Sequence, residues 1–397
     1  MTRSEQSDGG NGGNSGAFVA EPRWTVRALL AWMVPFLTTK DVDSPRTVAE
    51  ILLAHVLGVE RLRLYMEPER ELAPDELTQL RALVARAGRH EPVQYLVGTW
   101  PFFGRDFEVA PCTLIPRPCT ELLVERALEW VRERAQNVQR AATPSAPAAD
   151  PTSTLASAAN APVSFDMLDL CTGTGCIAIS LALGARAVLR AEGTGCRPLR
   201  SAAIGPVNAA PALPVVRDIA RVEAEGLERN GAEAANVDGR AVESASHQPQ
   251  AWRATVTATD VVPEAVELAK RNAVRLGAVV DVRVGDLYRA LGEHEQFDLI
   301  VSNPPYVTDD EYASLDRNVR EYEPASALRG GADGLEFVRG VVAGAEKRLR
   351  SGGLLLVEIG WKHGDAVRKL GGRAGWRDVE VLRDSDGHER VLVAWRT

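Results

Sequence analysis

The sequence predicts an α/β protein, with a doubly wound, mostly parallel sheet covered by helices on both faces and a small helical domain in front of it. Two observations predict this. From residue 163 onward, short apolar strand patterns alternate with helical ones, the signature of βαβ units. Before residue 92, apolar residues recur three and four apart with no strand pattern between them. The chain of 397 residues has room for two or three domains, and 45% hydrophobic residues suffice for a sizeable core.

In chain order, residues 1–20 are rich in Gly, Asn and Ser and read as a disordered tail, neither signal peptide nor membrane span. Residues 21–92 form the helical domain, with periodic stretches at Val48–Leu57 and Leu77–Val84 punctuated by Gly58 and Pro74. Residues 93–119 read as a hairpin or linker anchored by aromatics. Phe102 and Phe103 border a groove or, more simply, pack. A helix from Thr120 to about Val138 opens the main domain, residues 120–397.

Two stretches interrupt that domain. Residues 141–162, rich in Ala, Pro, Ser and Thr, read as a flexible linker, and residues 185–250 as a disordered insertion lacking strand periodicity. Strands are expected at 163–170, 254–259, 279–284, 297–302, 353–359, 379–382 and 390–394, with helices at 263–276 and 335–349. Trp24, Trp32 and Trp100 are expected to anchor the core or a domain interface.

A net charge of −8 provides no global basic field, which argues against stable nucleic-acid binding. The five cysteines form no CxxC pair and have no histidines at zinc spacing, so no metal site is expected. A cytoplasmic monomer that does not associate with membranes is the default expectation.

The first candidate site is the run Asp169-Leu170-Cys171-Thr172-Gly173-Thr174-Gly175, between a strand and a helix-like stretch. Gly173 and Gly175 let backbone approach a ligand at a helix start. A glycine loop alone also fits NAD or a plain turn. The next strand ends in Asp260, placed to accept from both hydroxyls of a ribose. Asp260 lies 85 residues beyond Gly175, and removing the 66 residues of 185–250 leaves 19, the spacing of one uninterrupted nucleotide-binding unit. Asp286 follows the third strand, as an adenine contact or a helix cap. Asp169 and Thr172 belong to the same loop, Asp169 as a ligand-side or a structural acid.

The second candidate site is Asn303-Pro304-Pro305-Tyr306, directly after the apolar strand Phe297–Ser302. Two prolines remove two backbone donors and fix the turn, projecting the Pro304 carbonyl beside the Asn303 side-chain oxygen. Two acceptors suit a planar –NH2 group. They return electron density to an amide nitrogen as charge develops and leave a carboxylate facing two oxygens. Tyr306 is expected to pack its ring against the amide.

With these residues the chain resembles the protein-(glutamine-N5) methyltransferases that modify the GGQ motif of class I peptide chain release factors. The resemblance extends to Arg89–Gly98, to Leu114–Pro118 with Thr120-Glu121, and to Tyr322-Glu323-Pro324 with Ala327-Leu328, Gly330-Gly331 and Asp333–Leu335. It also covers Gly352-Gly353, Glu358-Ile359-Gly360 and Asp386-Gly387 with Glu389–Val391. It implies a seven-stranded Rossmann-like class I methyltransferase sheet with an antiparallel last strand, and a helical N-terminal domain that helps hold the release factor. It further implies S-adenosyl-L-methionine bound by Gly173, Gly175 and Asp260, with Asn303, Pro304 and Tyr306 holding the target glutamine. The sulfonium methyl needs positioning more than a strong base.

The chain departs from that family at Cys171, usually glycine, and at Cys119, usually an acid. A side chain at Cys171 strains the turn if positive φ is required there. Alternative readings are glutamine methylation of a ribosomal protein, adenine-N6 methylation of nucleic acid, and a catalytically silent binding protein. The acidic chain speaks against the nucleic-acid reading, which needs a cationic surface and a flipped base.

Overall fold

A computed structural model describes residues 23–142, 163–193, 252–372 and 375–397. The predicted tail 1–20 and most of the predicted linker 141–162 lie outside these residues. Two compact units are present, divided at Val93/Gln94.

The first unit holds helices α1 (Val26–Thr39), α2 (Pro45–Leu57), α3 (Arg61–Met66) and α4 (Pro74–Ala87). Thr25 caps α1 by accepting from the Ala28 N–H at 3.2 Å. Pro74 opens α4 at its first position, and Glu76 accepts from the Ala73 N–H at 2.8 Å. The apolar stripes bury Leu29, Met33, Leu37, Leu52, Leu53, Leu80 and Val84. Of the tryptophans, Trp32 is not a core anchor. It stacks on Phe36 at 5.3 Å with 44% of its surface exposed.

The second unit opens within a short helix, α5 (Val93–Val97), followed by the hairpin of β1 (Thr99–Phe102) and β2 (Arg105–Glu108). Phe102, Phe103 and Phe107 are all buried, so the hairpin aromatics pack rather than border a groove. Helix α6 (Glu121–Ala142) follows, two residues of it taken from the stretch predicted as linker.

The main sheet has seven strands in the order β5-β4-β3-β6-β7-β9-β8. These are β3 (Val163–Leu170), β4 (Trp252–Asp260), β5 (Asp281–Val284), β6 (Phe297–Ser302), β7 (Leu349–Glu358), β8 (Trp376–Arg383) and β9 (Glu389–Arg396). All neighbours are parallel except β9, which runs antiparallel to both β7 and β8. Alternate residues of β3 point to opposite faces: Phe165 and Met167 join the core under α6, α7 (Cys176–Gly193) and α8 (Pro263–Leu276), while Leu168 and Leu170 join the other. That second core is covered by α9 (Glu336–Arg348) and α10 (Gly364–Gly371).

The chain lays β3, β4 and β5 outward, then returns to place β6 on the other side of β3. This creates a switch point between the carboxyl ends of β3 and β6, where ligands of such sheets bind.

The stretch 185–250, predicted as a disordered insertion, is helical over its first residues. Helix α7 runs on to Gly193 because Ala185, Val188 and Leu189 continue its apolar face into the core. The rest, 194–250, lies outside the described residues. Replacing 195–249 by a short Gly/Ser joint spares the core residues of α7 and is expected to keep cooperative unfolding and methyl transfer, whereas removing 185–250 takes Ala185, Val188 and Leu189 out of the core. Urea denaturation and transfer assays of both variants check this, and loss of folding in the shorter deletion would contradict it.

Candidate functional site

At the switch point, Leu170 of β3 pairs with Ser302 of β6, and the Ser302 hydroxyl donates to the Leu170 carbonyl at 2.9 Å. The glycine loop and the proline tetrapeptide therefore leave the sheet side by side. Between them and the ends of β4 and β5 lies a cavity of about 580 Å³. Its walls include Thr172, Gly173, Asp260, Asp286, Asn303 and Pro305, six of the residues predicted from sequence.

The loop is wired to the neighbouring strand. Thr172 N–H donates to the Thr259 carbonyl at 3.0 Å, and Gly173 N–H donates to Asp260 Oδ2 at 2.9 Å. The other oxygen, Oδ1, accepts from Val262 N–H at 3.0 Å, just before α8. Each carboxylate oxygen keeps acceptor capacity for a further donor. Burial raises the Asp260 pKa, opposed by these backbone donors. Asp286, at the end of β5, makes no side-chain cap bond to the turn that follows it. Its carboxylate lies 3.4 Å from Arg289.

Gly175 and Asp169 sit behind the cavity wall. Gly175 has φ +81, and a Cβ there would lie 3.1 Å from Ala269 Cβ, so glycine is required for α7 and α8 to approach. Asp169 is fully buried. Its Oδ2 accepts from the Thr172 hydroxyl at 2.7 Å and from Ala178 N–H at 3.1 Å, while Oδ1 has no partner. Burial pushes this carboxyl up to about 7, against those two hydrogen bonds.

Because its folded pKa is raised from an ordinary 3.8, Asp169 favours the fold most fully at pH below that value. Its contribution declines as pH rises toward 7. Relative to Asp169→Asn, the wild-type protein is expected to lose on the order of 4 kcal/mol between pH 4 and 8. Urea midpoints of both proteins across that range check this, and parallel curves would contradict it.

Cys171 adopts φ +60, so the condition for strain at this departure from the family is met. A side chain in the left-handed region costs about 1 kcal/mol or more.

Three segments hold the far wall. Asn272 on α8 donates to the carbonyls of Glu108 and Thr174, both at 3.0 Å, tying the hairpin to the glycine loop. Glu323, buried, accepts from Ile115 N–H at 3.0 Å and pairs with Arg117 at 2.5 Å. That pair clamps 114–117 to the loop after the tetrapeptide, and both segments line the cavity. Gly330 lies against the tetrapeptide so closely that a Cβ would come within 2.7 Å of Tyr306 Cα and 2.8 Å of the Pro305 carbonyl oxygen.

Asn303 donates from Nδ2 to Thr120 Oγ1 at 3.2 Å. Pro304 and Tyr306 do not line the cavity. Pro304 is buried, and the Tyr306 hydroxyl donates to Glu358 Oε1 at 3.2 Å. Burial holds the Tyr306 phenol well above its ordinary pKa, with the Glu358 carboxylate adding to the effect, so it is a neutral donor. Sequence reasoning assigned no role to Thr120, Arg117, Glu323 or Glu358, although each lay in a segment that carried the resemblance. No local pattern in any of them announces a contact made across more than 50 residues.

Among the described residues no helix is long and apolar enough to cross a membrane. The PrmC N-terminal domain family matches residues 28–98, and the methyltransferase small domain family matches residues 239–320. The release factor glutamine methyltransferase of Geobacter sulfurreducens is 32% identical over 369 residues, spanning 93% of this chain and 96% of that protein. That of Bordetella pertussis is 33% identical over 351 residues, spanning 88% and 95%. That of Salmonella typhimurium is 33% identical over 354 residues, spanning 89% and 92%. The chain therefore belongs to the release factor glutamine methyltransferase family.

Proposed function

We propose that the cavity holds S-adenosyl-L-methionine against Asn303-Pro304-Pro305-Tyr306, and that the methyl acceptor is the glutamine of the GGQ motif in a class I peptide chain release factor. One observation carries this reading. The parallel pairing of β3 and β6 brings the glycine loop, the strand-end acid Asp260 and the amide acceptor Asn303 around one cavity.

The residues fit that cofactor. Asp260 has acceptor capacity for two ribose hydroxyls, and Asp286 stands at the next strand end for the adenine. Gly173 offers a wall without a side chain, because a Cβ there would meet nothing nearer than Thr113 at 3.9 Å. Thr172 continues that wall. Asp169 and Gly175 act from behind, Asp169 holding the loop and Gly175 seating it on α8. When bound, S-adenosylmethionine supplies a methyl group on a positively charged sulfur.

This chain's own residues then act on the acceptor. Asn303 Oδ1 and the Pro304 carbonyl each accept one N–H of the glutamine side chain, orienting the nitrogen lone pair toward the methyl group. As the new C–N bond forms and positive charge develops on nitrogen, the same two oxygens stabilise it, and the surplus N–H proton is then lost to solvent to leave the neutral N-methyl amide. Pro305 fixes the turn, and Tyr306 anchors the end of the tetrapeptide from behind the wall through its hydrogen bond to Glu358. Glutamate is rejected because its carboxylate would face two acceptors with no proton to offer.

Methyl transfer from labelled S-adenosylmethionine to a purified class I release factor tests the reading. Label is expected on the factor with its GGQ glutamine intact and not on one with that glutamine replaced. Equal labelling of both would overturn it.

A further inference from the structure

Six charged side chains among the described residues line the cavity: Arg117, Asp260, Asp286, Asp309, Arg329 and Glu336. Four are acids, so a ligand that brings its own carboxylate has only two cations to meet. The two arginines are not equivalent. Arg329 donates from Nε and Nη2 to Asp309 Oδ1 at 3.0 and 2.7 Å, and Asp309 itself faces the cavity. An incoming carboxylate meets that acid together with the arginine.

Arg117 is paired from behind instead. Its Nη2 donates to Glu323 at 2.5 Å, and the Glu323 side chain is 1% exposed and forms no part of the cavity wall. Nε and Nη1 have no hydrogen-bond partner among the described residues. The pair therefore turns its positive end, with unspent donors, toward the cavity. The segment that carries Arg117 is fixed. The Tyr95 hydroxyl donates to the Thr113 carbonyl at 2.7 Å, and Ile115 is buried with Tyr95 and Val109 while its N–H is held by Glu323.

Position along the sheet adds to the charge argument. In the order β5-β4-β3-β6, Asp286 stands at the end of β5 for the base and Asp260 at the end of β4 for the ribose. The sulfur has to stand near Asn303, after β6. What remains for the amino-acid end of the cofactor is the wall where segment 112–117 crosses the glycine loop. Thr113 Cβ lies 3.9 Å from the position a Cβ on Gly173 would take.

We infer that Arg117 is the seat of the cofactor's carboxylate, and that Glu323 is the buried residue that aims it. Asp260 and Arg117 then hold the two ends of S-adenosylmethionine, which leaves the sulfonium between them fixed toward Asn303. The inference rests on the cofactor named in the function proposed above.

Calorimetric titration of the full chain with two ligands tests it: S-adenosylhomocysteine, which carries the carboxylate, and its decarboxylated analogue, which differs in that group alone. The wild-type protein is expected to bind S-adenosylhomocysteine about 30-fold more tightly than the analogue. Arg117→Ala is expected to lose that factor for S-adenosylhomocysteine and to bind the analogue within about twofold of wild type. Arg117→Lys, which keeps the charge and loses the fork, is expected to fall between. Arg329→Ala is expected to keep the wild-type preference.

Arg117→Ala leaves Glu323 buried without its cation. Should that variant fail to fold, Arg117→Lys and the double variant Arg117→Ala with Glu323→Gln decide, measured with the same two ligands. Equal weakening of both ligands in the Arg117 variants is the mark of a structural clamp and would overturn the inference. So would a wild-type protein indifferent to the carboxylate, or a preference that survives in Arg117→Ala and disappears in Arg329→Ala. A wild-type protein that binds neither ligand would instead defeat the reading of the cofactor, and the inference with it.

Discussion

Asn303→Ala is expected to lower kcat by about 100- to 1000-fold while S-adenosylmethionine affinity changes far less. The mutation removes one of two oxygens that meet the acceptor nitrogen, and the interaction strengthens only as that nitrogen becomes positive. Loss of a preorganised group of this kind typically costs about 3–4 kcal/mol in the transition state. The backbone of the turn should survive, because Pro304 and Pro305 fix it and Gly330 packs on it. Single-turnover rates with saturating cofactor separate chemistry from binding. A variant that kept its single-turnover rate and merely raised KM would show that Asn303 does no more than hold the substrate.

Asp260 is expected to show the opposite split. Asp260→Asn preserves the shape of the side chain but places an NH2 group where one oxygen now accepts from Gly173 or Val262. One backbone donor is then unpartnered and a ribose hydroxyl loses a charged acceptor, each worth about 1.5–3 kcal/mol. S-adenosylmethionine affinity should fall by about 100-fold or more, with kcat at saturating cofactor changed much less. Calorimetric titration of the variant measures it directly. Unaltered affinity would remove Asp260 from the cofactor site.

The two variants probe different walls of one cavity, and their legibility in the sequence differed for a physical reason. The tetrapeptide and the glycine loop are contiguous, and their chemistry resides in local backbone geometry, so both were visible as strings. Asp260 was visible as the acid that closes the second strand, although the spacing that pointed to it shifts: with α7 running to Gly193, subtracting the 57 residues of 194–250 from 85 leaves 28 rather than 19. The helical start of 185–250 was misread, because the Ala- and Arg-rich run after Leu183 has the composition of a linker and the periodicity of a helix. Tertiary burial of Val188 and Leu189 decides for the helix.

The contacts of Thr120 with Asn303 and of Glu358 with Tyr306 were not legible. Glu358 ends an apolar strand and looks like any strand-end acid. Only the order β6-β7 puts it next to the tetrapeptide, and only the bend of 117–120 brings Thr120 against Asn303. Tyr306 was expected to present its ring to the amide, yet it is held by Glu358 outside the cavity wall, a position that depends on the same long-range pairing. The strain at Cys171 was foreseeable only as a condition, since φ is set by how the loop must turn between β3 and α7.

In the proposed reaction a methyl group passes from the cavity to an amide nitrogen held by Asn303. Fragment mass spectrometry of a class I release factor treated with the enzyme and S-adenosylmethionine tests this most directly. One added methyl is expected on the side-chain nitrogen of the GGQ glutamine, absent when the enzyme carries Asn303→Ala. A methyl group on any other residue, or the same product from the Asn303→Ala enzyme, would contradict it.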